Sequence, residues 1–361
     1  MHAWLAWIPR YERQLSAAGM LGGFVTDNFM FRRVDLPNTQ LVFIVYLTVA
    51  AVSIALLHIL AARADPEAPP PRWRAFLPIA TQFALGGLWS GFLIFYTRSA
   101  VLLASWPFLL VLAAIFIGNE VLKHYYSRLV FTSTLFFFAL FSYAIVTVPI
   151  FTHTVGTLTF LFSGAVALAV FALFLYVLAR FGRESFAPSK WKIGLGAAAV
   201  YALINIFWFT NILPPLPIAL ARAEVYHSVK KTGDVYIAAG EPRPWYSALI
   251  SPLSPPVVHI APGEALYLYS AVFAPIKFTT RIVHSWQRYD AARKRWLPVS
   301  VVSYSINGGR DGGYRGYTVK RNPRPGVWRV DVATADGHLL GRVRFDVDLT
   351  APAAIVSRTL D

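Results

Sequence analysis

The segment 306–322 contains the residue types that could most directly bind a ligand. It reads INGGRDGGYRGYTVKRN, and its glycines leave the backbone free to turn and to expose amide groups. Arginine presents paired N–H donors to a carboxylate or a phosphate, and tyrosine rings supply flat faces for stacking. The pattern predicts a site for an anionic glycan or a lipid headgroup, formed by Arg310, Asp311, Tyr314, Arg315, Tyr317 and Lys320. The alternative is a glycine-rich hairpin in which Asp311 and backbone carbonyls hold the arginines.

A histidine and a tryptophan form a second candidate. His284 and Trp286 alternate with Ile282 on one face of a predicted strand. At the edge of a sheet this face could serve a binding site, so both residues are included among the candidate ligand contacts. The alternative is a half-buried histidine in the core.

Two acidic residues stand out in the apolar part of the chain. Asp27 lies in an apolar segment, where a carboxylate is costly and indicates function by default. Alternatively, it lies near the outer membrane interface, close to two arginines. Glu120 precedes Lys123 and His124 by three and four residues, and this spacing predicts an interfacial ion pair on one helix face.

Other kinds of site are excluded by their missing patterns. The apolar segments contain no His-x-x-x-His, His-Glu-x-x-His or Glu-x-x-His pair, so no metal site is predicted. There is no cysteine for a disulfide, an iron–sulfur cluster or a thiol nucleophile. No Gly-x-Ser-x-Gly elbow, Walker loop or dinucleotide fingerprint occurs. The sequence therefore assigns no catalytic residue, and it predicts no cofactor.

The composition predicts a membrane protein. Of 361 residues, 56% are hydrophobic and only 14% are charged, whereas a soluble domain has about a quarter charged residues. This excludes a purely soluble enzyme, a disordered chain, a coiled coil and a collagen-like fibre. The net charge of +15 is common in membrane proteins, because Lys and Arg are enriched in cytoplasmic loops. Membrane lipids are therefore expected partners, and nucleic acid is not.

Six segments are long and apolar enough to cross a bilayer, which takes about 20 helical residues. They cover residues 40–62, 76–97, 100–118, 129–151, 156–179 and 193–213. A weaker candidate covers residues 15–31, and it could instead be a re-entrant or interfacial helix. The sequence thus predicts an α-helical polytopic membrane bundle of six or seven spans at residues 1–213.

The distribution of basic residues predicts the orientation of the bundle. With seven spans and a cytoplasmic N-terminus, eleven Lys and Arg lie inside and only Arg32, Arg33 and Arg98 lie outside. With six spans, nine lie inside and five outside. Both counts obey the positive-inside rule, and both place the C-terminal region outside the cytoplasm. The expected location is the bacterial inner (cytoplasmic) membrane, with a periplasmic C-terminal domain.

The chain changes character after residue 213. Prolines and an amphipathic stretch predict a linker at 214–234, and period-two alternation predicts an extracytoplasmic β-domain at 235–361. The clearest strands cover residues 265–273, 277–286, 296–306, 326–334 and 341–347. Asp336-Gly337 predicts a hairpin between the last two. These short strands predict a small all-β immunoglobulin-like sandwich.

Several motifs resemble an uncharacterised bacterial family. They are NILPPLPIAL (211–220), VFAPIKFTTRIVHSWQRYD (272–290), GGRDGGYRGYTVKRN (308–322), PGVWRVDVATADGHLLGRVRFDV (325–347), FVTDNFMFRRVD (24–35) and NEVLKHYYSRL (119–129). Members of this family join a multi-spanning membrane region to a C-terminal domain of unknown function of the DUF2914 type. The family carries no assigned activity, so the resemblance implies the domain layout and no reaction.

The leading functional hypothesis is a non-catalytic membrane protein. It would present a basic, aromatic sandwich that binds an anionic envelope ligand or a partner membrane protein. One alternative is a transporter or channel component, for which no internal repeat is visible. The other is a membrane enzyme acting on lipid-linked sugar, with Asp27 or Glu120 as the base.

Overall fold

The chain divides into a helical unit, which holds most residues up to Leu213, and a β unit, which consists mainly of the residues from Pro214 onward. The computed structural model describes residues 21–31, 33–63, 71–99, 102–233, 235–242, 255–309, 312–352 and 354–360. Most of the predicted segment 15–31 is covered by helical residues 21–30 (α1), and residues 15–20 lie outside the described residues.

Helices occupy all six segments that were predicted to span the membrane. They are α2 (Pro37–Ala62), α3 (Phe76–Ser99), α4 (Leu102–Val121), α5 (Leu129–Thr152), α6 (Thr157–Phe181) and α8 (Lys190–Phe209), with a short α7 (Arg183–Phe186). Among the described residues, all of these except α4 and α7 are long and apolar enough to cross a membrane. Twenty helical residues rise about 30 Å, which is the thickness of the hydrocarbon core. These helices indicate a membrane protein.

The last helix ends earlier than predicted. Helix α8 stops at Phe209, four residues before the predicted end at residue 213. Asn211 takes a positive φ of 57°, and prolines follow at 214 and 215. A left-handed residue followed by proline cannot continue a helix, so the local backbone sets this boundary.

Helix α5 is the centre of the helical unit. It is buried along most of its length and packs against α2, α6 and α8. The side-chain amide of Gln40 on α2 accepts hydrogen bonds from Tyr143 and Thr147 on α5, each at 2.9 Å. On α3, a Cβ at Gly91 would lie 2.5 Å from the ring of Phe43, so glycine permits the close approach of α2 and α3.

The β unit contains eleven described strands in three sheets. The strands are β1 (Ala219–Tyr226), β2 (Ser228–Thr232), β3 (Val235–Gly240), β4 (Val257–His259), β5 (Ala265–Phe273), β6 (Thr279–Asp290), β7 (Arg295–Asn307), β8 (Tyr314–Arg321), β9 (Gly326–Thr334), β10 (Leu339–Asp348) and β11 (Val356–Leu360). The five-stranded sheet has the order β4-β10-β9-β6-β7. Two three-stranded sheets have the orders β1-β5-β8 and β11-β3-β2. All pairs are antiparallel except β4 with β10.

Strand β5, at the centre of the sheet β1-β5-β8, is buried on both faces. One face shares a core with the five-stranded sheet, formed by residues that include Leu266, Leu268, Val272, Ile282, Trp286, Trp328, Val330, Val332, Phe345 and Val347. The other face packs on the sheet β11-β3-β2 in a smaller core formed by Tyr226, Val229, Tyr236, Ala238, Tyr269, Ala271 and Leu360. Burial on both faces explains why β5 reads as a continuous apolar run and not as an alternating one.

The predicted linker at 214–234 is wrong in part, because it contains β1 and β2. Every second residue from 219 to 223 is alanine, and small residues give a weak alternation signal. Pairing decides the structure: β1 lies beside the long apolar strand β5, and β2 lies beside β3. The strands predicted at 265–273 and 326–334 coincide with β5 and β9.

We expect a fragment of residues 214–361 to fold by itself, and a fragment of residues 235–361 to fail. The shorter fragment lacks β1 and β2, so it exposes the edge of β5 and the tyrosine-rich core. Circular dichroism and dispersion of amide NMR signals measure the difference. A well-folded 235–361 fragment would show that β1 is not needed to cover β5.

Candidate functional site

The glycine-rich segment forms a turn and a strand. Arg310 and Asp311 lie outside the described residues, and the segment then continues as β8, which pairs with β5. Gly313 has a φ of 82°, which favours glycine, and a Cβ at Gly308 would collide with the carbonyl oxygen of Pro275. The geometry of the turn between β7 and β8 therefore requires these glycines.

The structure does not bring the predicted loop residues together. Because side chains alternate along a strand, Arg315 and Tyr317 share one face of β8, and Tyr314 and Lys320 share the other. The Tyr317 ring lies 5.9 Å from that of Tyr267, between ring centroids, while Tyr314 packs against the main core. A single ligand on one face cannot contact all four described residues.

His284 and Trp286 lie in the core, which corrects their assignment as ligand contacts. Both side chains are 0% exposed. The imidazole bonds Ser270 Oγ through Nε2 and Thr318 Oγ1 through Nδ1, each at 2.9 Å. The indole N–H of Trp286 also donates to Thr318 Oγ1, at 3.1 Å. Burial lowers the pKa of His284 to about 4, so this histidine is neutral in the folded protein.

Asp27 has a polar partner inside the helical unit. Ser90 Oγ on α3 donates a hydrogen bond to Asp27 Oδ2 at 2.6 Å. Glu120 lies in the last turn of α4, which ends at Val121, and a 3₁₀ turn begins at Lys123. The Lys123 side chain lies outside the described residues, so the ion pair predicted for Glu120 stays a prediction.

The structure shows a cluster of arginines that was not among the candidate ligand-binding residues predicted from the sequence. The outer face of the five-stranded sheet carries what we call the arginine face: Gln287, Arg329, Asp331, Arg342 and Arg344. Asp331 is opposite Arg342, and the carboxylate accepts from Nε at 2.5 Å and from Nη2 at 2.8 Å. Arg329 Nε donates to the Gln287 side-chain oxygen at 2.9 Å. The Arg329 guanidinium also lies 4.5 Å from the ring centroid of Trp296.

Two arginines of the arginine face lie side by side, and alternation along β10 also places Asp346 on this face. Arg329 and Arg344 are directly opposite across β9 and β10, and like charges in such a pair destabilise a sheet. Burial, together with Arg342 and Arg344, lowers the pKa of Arg329. Among the described residues, Arg344 Nε is buried and has no hydrogen-bond partner. The site therefore offers donors that an anion could accept.

The sequence alone predicts part of the arginine face. Alternation along 326–334 and 341–347 places these arginines, Asp331 and Asp346 on the face opposite Trp328 and Phe345. It does not show which residues are directly opposite each other. The register of β9 with β10 makes Arg329 and Arg344 neighbours, and pairing with β6 adds Gln287.

We expect His284→Gln to remove a pH dependence of stability. The pKa of His284 is 6.5 in the unfolded chain and about 4 in the folded one, so the unfolded state binds more protons between these values. The stability is fully present above pH 6.5 and falls toward pH 4, by roughly 3 kcal/mol. Urea unfolding of residues 214–361 across this range measures the slope. An unchanged slope in the variant would assign the effect to another group.

Three solved structures that this chain is similar to have low TM-scores. An immunoglobulin-like protein from Pseudomonas aeruginosa has 11% identity and a TM-score of 0.20, covering 36% of this chain and 96% of that one. A β-glucosidase from Listeria innocua in complex with glucose has 13% identity and a TM-score of 0.19, covering 36% of this chain and only 16% of the enzyme. An alkylpurine DNA glycosylase from Pseudomonas fluorescens, bound to DNA, has 10% identity and a TM-score of 0.23, covering 86% and 99%. These TM-scores are too low to support an inference about this chain.

The family comparison is specific to the β unit. No curated protein matches the chain. Residues 279–347, from the start of β6 to nearly the end of β10, match the family described as "Protein of unknown function (DUF2914)". The matched residues include the whole arginine face. This match at residues 279–347 confirms the resemblance to a DUF2914-type domain that the sequence motifs predicted.

Proposed function

We propose that this protein is a non-catalytic membrane protein whose β unit binds an anionic envelope ligand on the arginine face. The observation that carries the proposal is the direct opposition of Arg329 and Arg344. Asp331 is the carboxylate in the described ion pairs of this face, and it is engaged by Arg342. Among the described residues, Arg329 and Arg344 form no ion pair.

The ligand would carry a phosphate or a carboxylate group. Side chains directly opposite on neighbouring strands have Cβ atoms about 5 Å apart, so both guanidinium groups can reach one oxyanion. Such an anion would relieve the repulsion between Arg329 and Arg344, and it would give the buried Arg344 Nε an acceptor. Trp296, beside Arg329, would offer a flat surface to a sugar ring. A lipid headgroup and an anionic glycan both fit this chemistry.

The proposed location of the protein indicates where its ligand would come from. We place the chain in the bacterial inner membrane, with a cytoplasmic N-terminus and a periplasmic β unit of immunoglobulin-like sandwich type. The apolar helices and the excess of Lys and Arg in the predicted cytoplasmic loops support this orientation. A basic face held close to the outer leaflet would meet phosphate headgroups and acidic glycans at high local concentration.

We expect Arg344→Gln to weaken anion binding by about tenfold or more, because one charge-assisted hydrogen bond contributes roughly 1.5–3 kcal/mol. The same change should leave stability unchanged or raise it slightly, since it removes a repulsive pair. Calorimetric titration of the full chain in neutral detergent measures binding, with short-chain phosphatidylglycerol and an oligogalacturonate as separate probes. Short-chain phosphatidylcholine is the uncharged control probe.

Two variants control for net charge and for the loop. Arg321→Gln removes the same charge from an exposed position on β8 and should leave binding unchanged. Arg315→Gln tests the loop hypothesis in the same titration. If Arg344→Gln binds both probes as well as the parent does, the arginine face is not the site. If only Arg315→Gln loses binding, the loop is the site.

We also expect alkaline phosphatase fused after position 361 to be active, and phosphatase fused at position 68 to be inactive. The reason is the positive-inside rule, since position 68 lies in a proline-rich loop flanked by Arg63, Arg72 and Arg74. A reporter that is active only in the cytoplasm should show the opposite pattern. Cytoplasmic activity at position 361 would contradict the proposed orientation.

A further inference from the structure

Two aromatic side chains lie beside the arginine face. Tyr289 on β6 is directly opposite Trp296 on β7, and the two ring centroids are 5.3 Å apart. Tyr289 is two residues from Gln287 along β6, so alternation places both on the same face of the sheet. Tyr289 is 37% exposed, and Trp296 is partly exposed. The arginine face therefore adjoins an aromatic pair that a ligand can reach.

The aromatic pair and the arginines are close enough to contact one sugar residue. The Arg329 guanidinium lies 4.5 Å from the centroid of the Trp296 ring. Successive rows of side chains on one face of a sheet are about 6.6 Å apart, because two residues separate them along each strand. A uronic acid carries its carboxylate directly on the sugar ring. A ring packed on Tyr289 and on the exposed part of the indole would therefore place its carboxylate beside Arg329.

Polar side chains on and beside the arginine face suit the hydroxyl groups of a sugar. The Gln287 amide is held in place, since its oxygen accepts from Arg329 Nε at 2.9 Å and its nitrogen donates to Ser285 Oγ at 3.2 Å. Asp331 and Asp346 add carboxylate oxygens to the same face. Carboxylates accept hydrogen bonds from sugar hydroxyls, but they repel closely spaced phosphates. The face therefore suits an acidic glycan better than a nucleic acid.

Positive charge lies on both sides of the aromatic pair. On one side are Arg329 and Arg344, in the next row of the sheet. On the other side is the turn 291–294, which contains the exposed Lys294. A lipid headgroup carries its phosphate at one point, whereas a polyuronate carries a carboxylate on every sugar. Cations on both sides of the pair therefore favour the polymer.

We propose that the ligand of the arginine face is an acidic polysaccharide of the polyuronate type, an inference that rests on the function proposed above. One sugar packs on Tyr289 and Trp296, and its carboxylate binds Arg329 and Arg344. The next sugar along the chain places its carboxylate near Lys294. The face is one side of an open five-stranded sheet, which suits a chain that passes across it, whereas small ligands usually bind in concave pockets.

The test is calorimetric titration of the full chain in neutral detergent. The probes are galacturonic acid, hexagalacturonate, short-chain phosphatidylglycerol and an oligothymidylate of the same charge as the hexamer. We expect hexagalacturonate to bind about tenfold or more tightly than galacturonic acid, because cations on both sides of the aromatic pair are then engaged together. Hexagalacturonate should also bind more tightly than the oligothymidylate.

Variants beside the arginine face separate the glycan from the lipid. Trp296→Leu should weaken hexagalacturonate binding by about fivefold and leave phosphatidylglycerol binding unchanged, while Trp296→Phe keeps an aromatic ring and should retain most of the affinity. Lys294→Gln changes an exposed turn residue, so it should preserve folding and weaken binding of the hexamer but not of the monomer. Lys230→Gln removes an exposed lysine from β2 and, as the matched control, should change neither. Circular dichroism checks the fold of each variant.

Three results would overturn the inference. The first is a hexamer that binds no more tightly than galacturonic acid, or less tightly than the oligothymidylate. The second is hexamer binding that either Trp296→Leu or Lys294→Gln leaves at the level of the parent. The third is a loss in Trp296→Leu that is as large for phosphatidylglycerol as for the hexamer. In each case the titrations of Arg344→Gln still decide separately whether the arginine face binds anions.

Discussion

The β unit depends on a buried hydrogen-bond network around His284. The imidazole joins Ser270 on β5 to Thr318 on β8, and Trp286 on β6 donates to the same threonine. Because the network is fully enclosed, each broken bond would leave a buried polar group without a partner. It therefore holds β6 in one register against the sheet β1-β5-β8. A shift of β6 by one residue would turn these side chains toward solvent and would move Gln287 off the arginine face.

The central position of β5 has consequences at both of its faces. One face joins the main core, and the other is covered by a tyrosine-rich layer that includes Tyr226, Tyr236 and Tyr269. Since β1 is the strand that pairs with β5 on one side, the β unit has to begin well before residue 235. The same arrangement brings the corner after β1 and the end of β3 close to β4. The contacts of Glu241 with His227 and His259 arise there.

The arginine face keeps two like charges directly opposite each other on neighbouring strands. Natural sheets rarely keep like charges directly opposite, since the pair destabilises the fold. Arg329 and Arg344 are retained in that position, with the buried Arg344 Nε lacking a partner among the described residues. Elsewhere in the β unit, the buried imidazole of His227 has no hydrogen-bond partner among the described residues. An anion bound between Arg329 and Arg344 would relieve the repulsion between them.

The sequence by itself determined the membrane-type helices, the change to strands after residue 213 and the DUF2914 region, because hydropathy and period-two alternation are local properties of the chain. It also determined which face of β9 and β10 carries the arginines. Only the tertiary structure decided that β1 and β2 belong to the β unit, that His284 is enclosed, and that Arg315 and Lys320 lie on opposite faces of β8. It also decided the pairing of Arg329 with Arg344 and the meeting of His227, Glu241 and His259. These facts depend on strand register and on which sheets pack together, and contacts between residues distant along the chain set both.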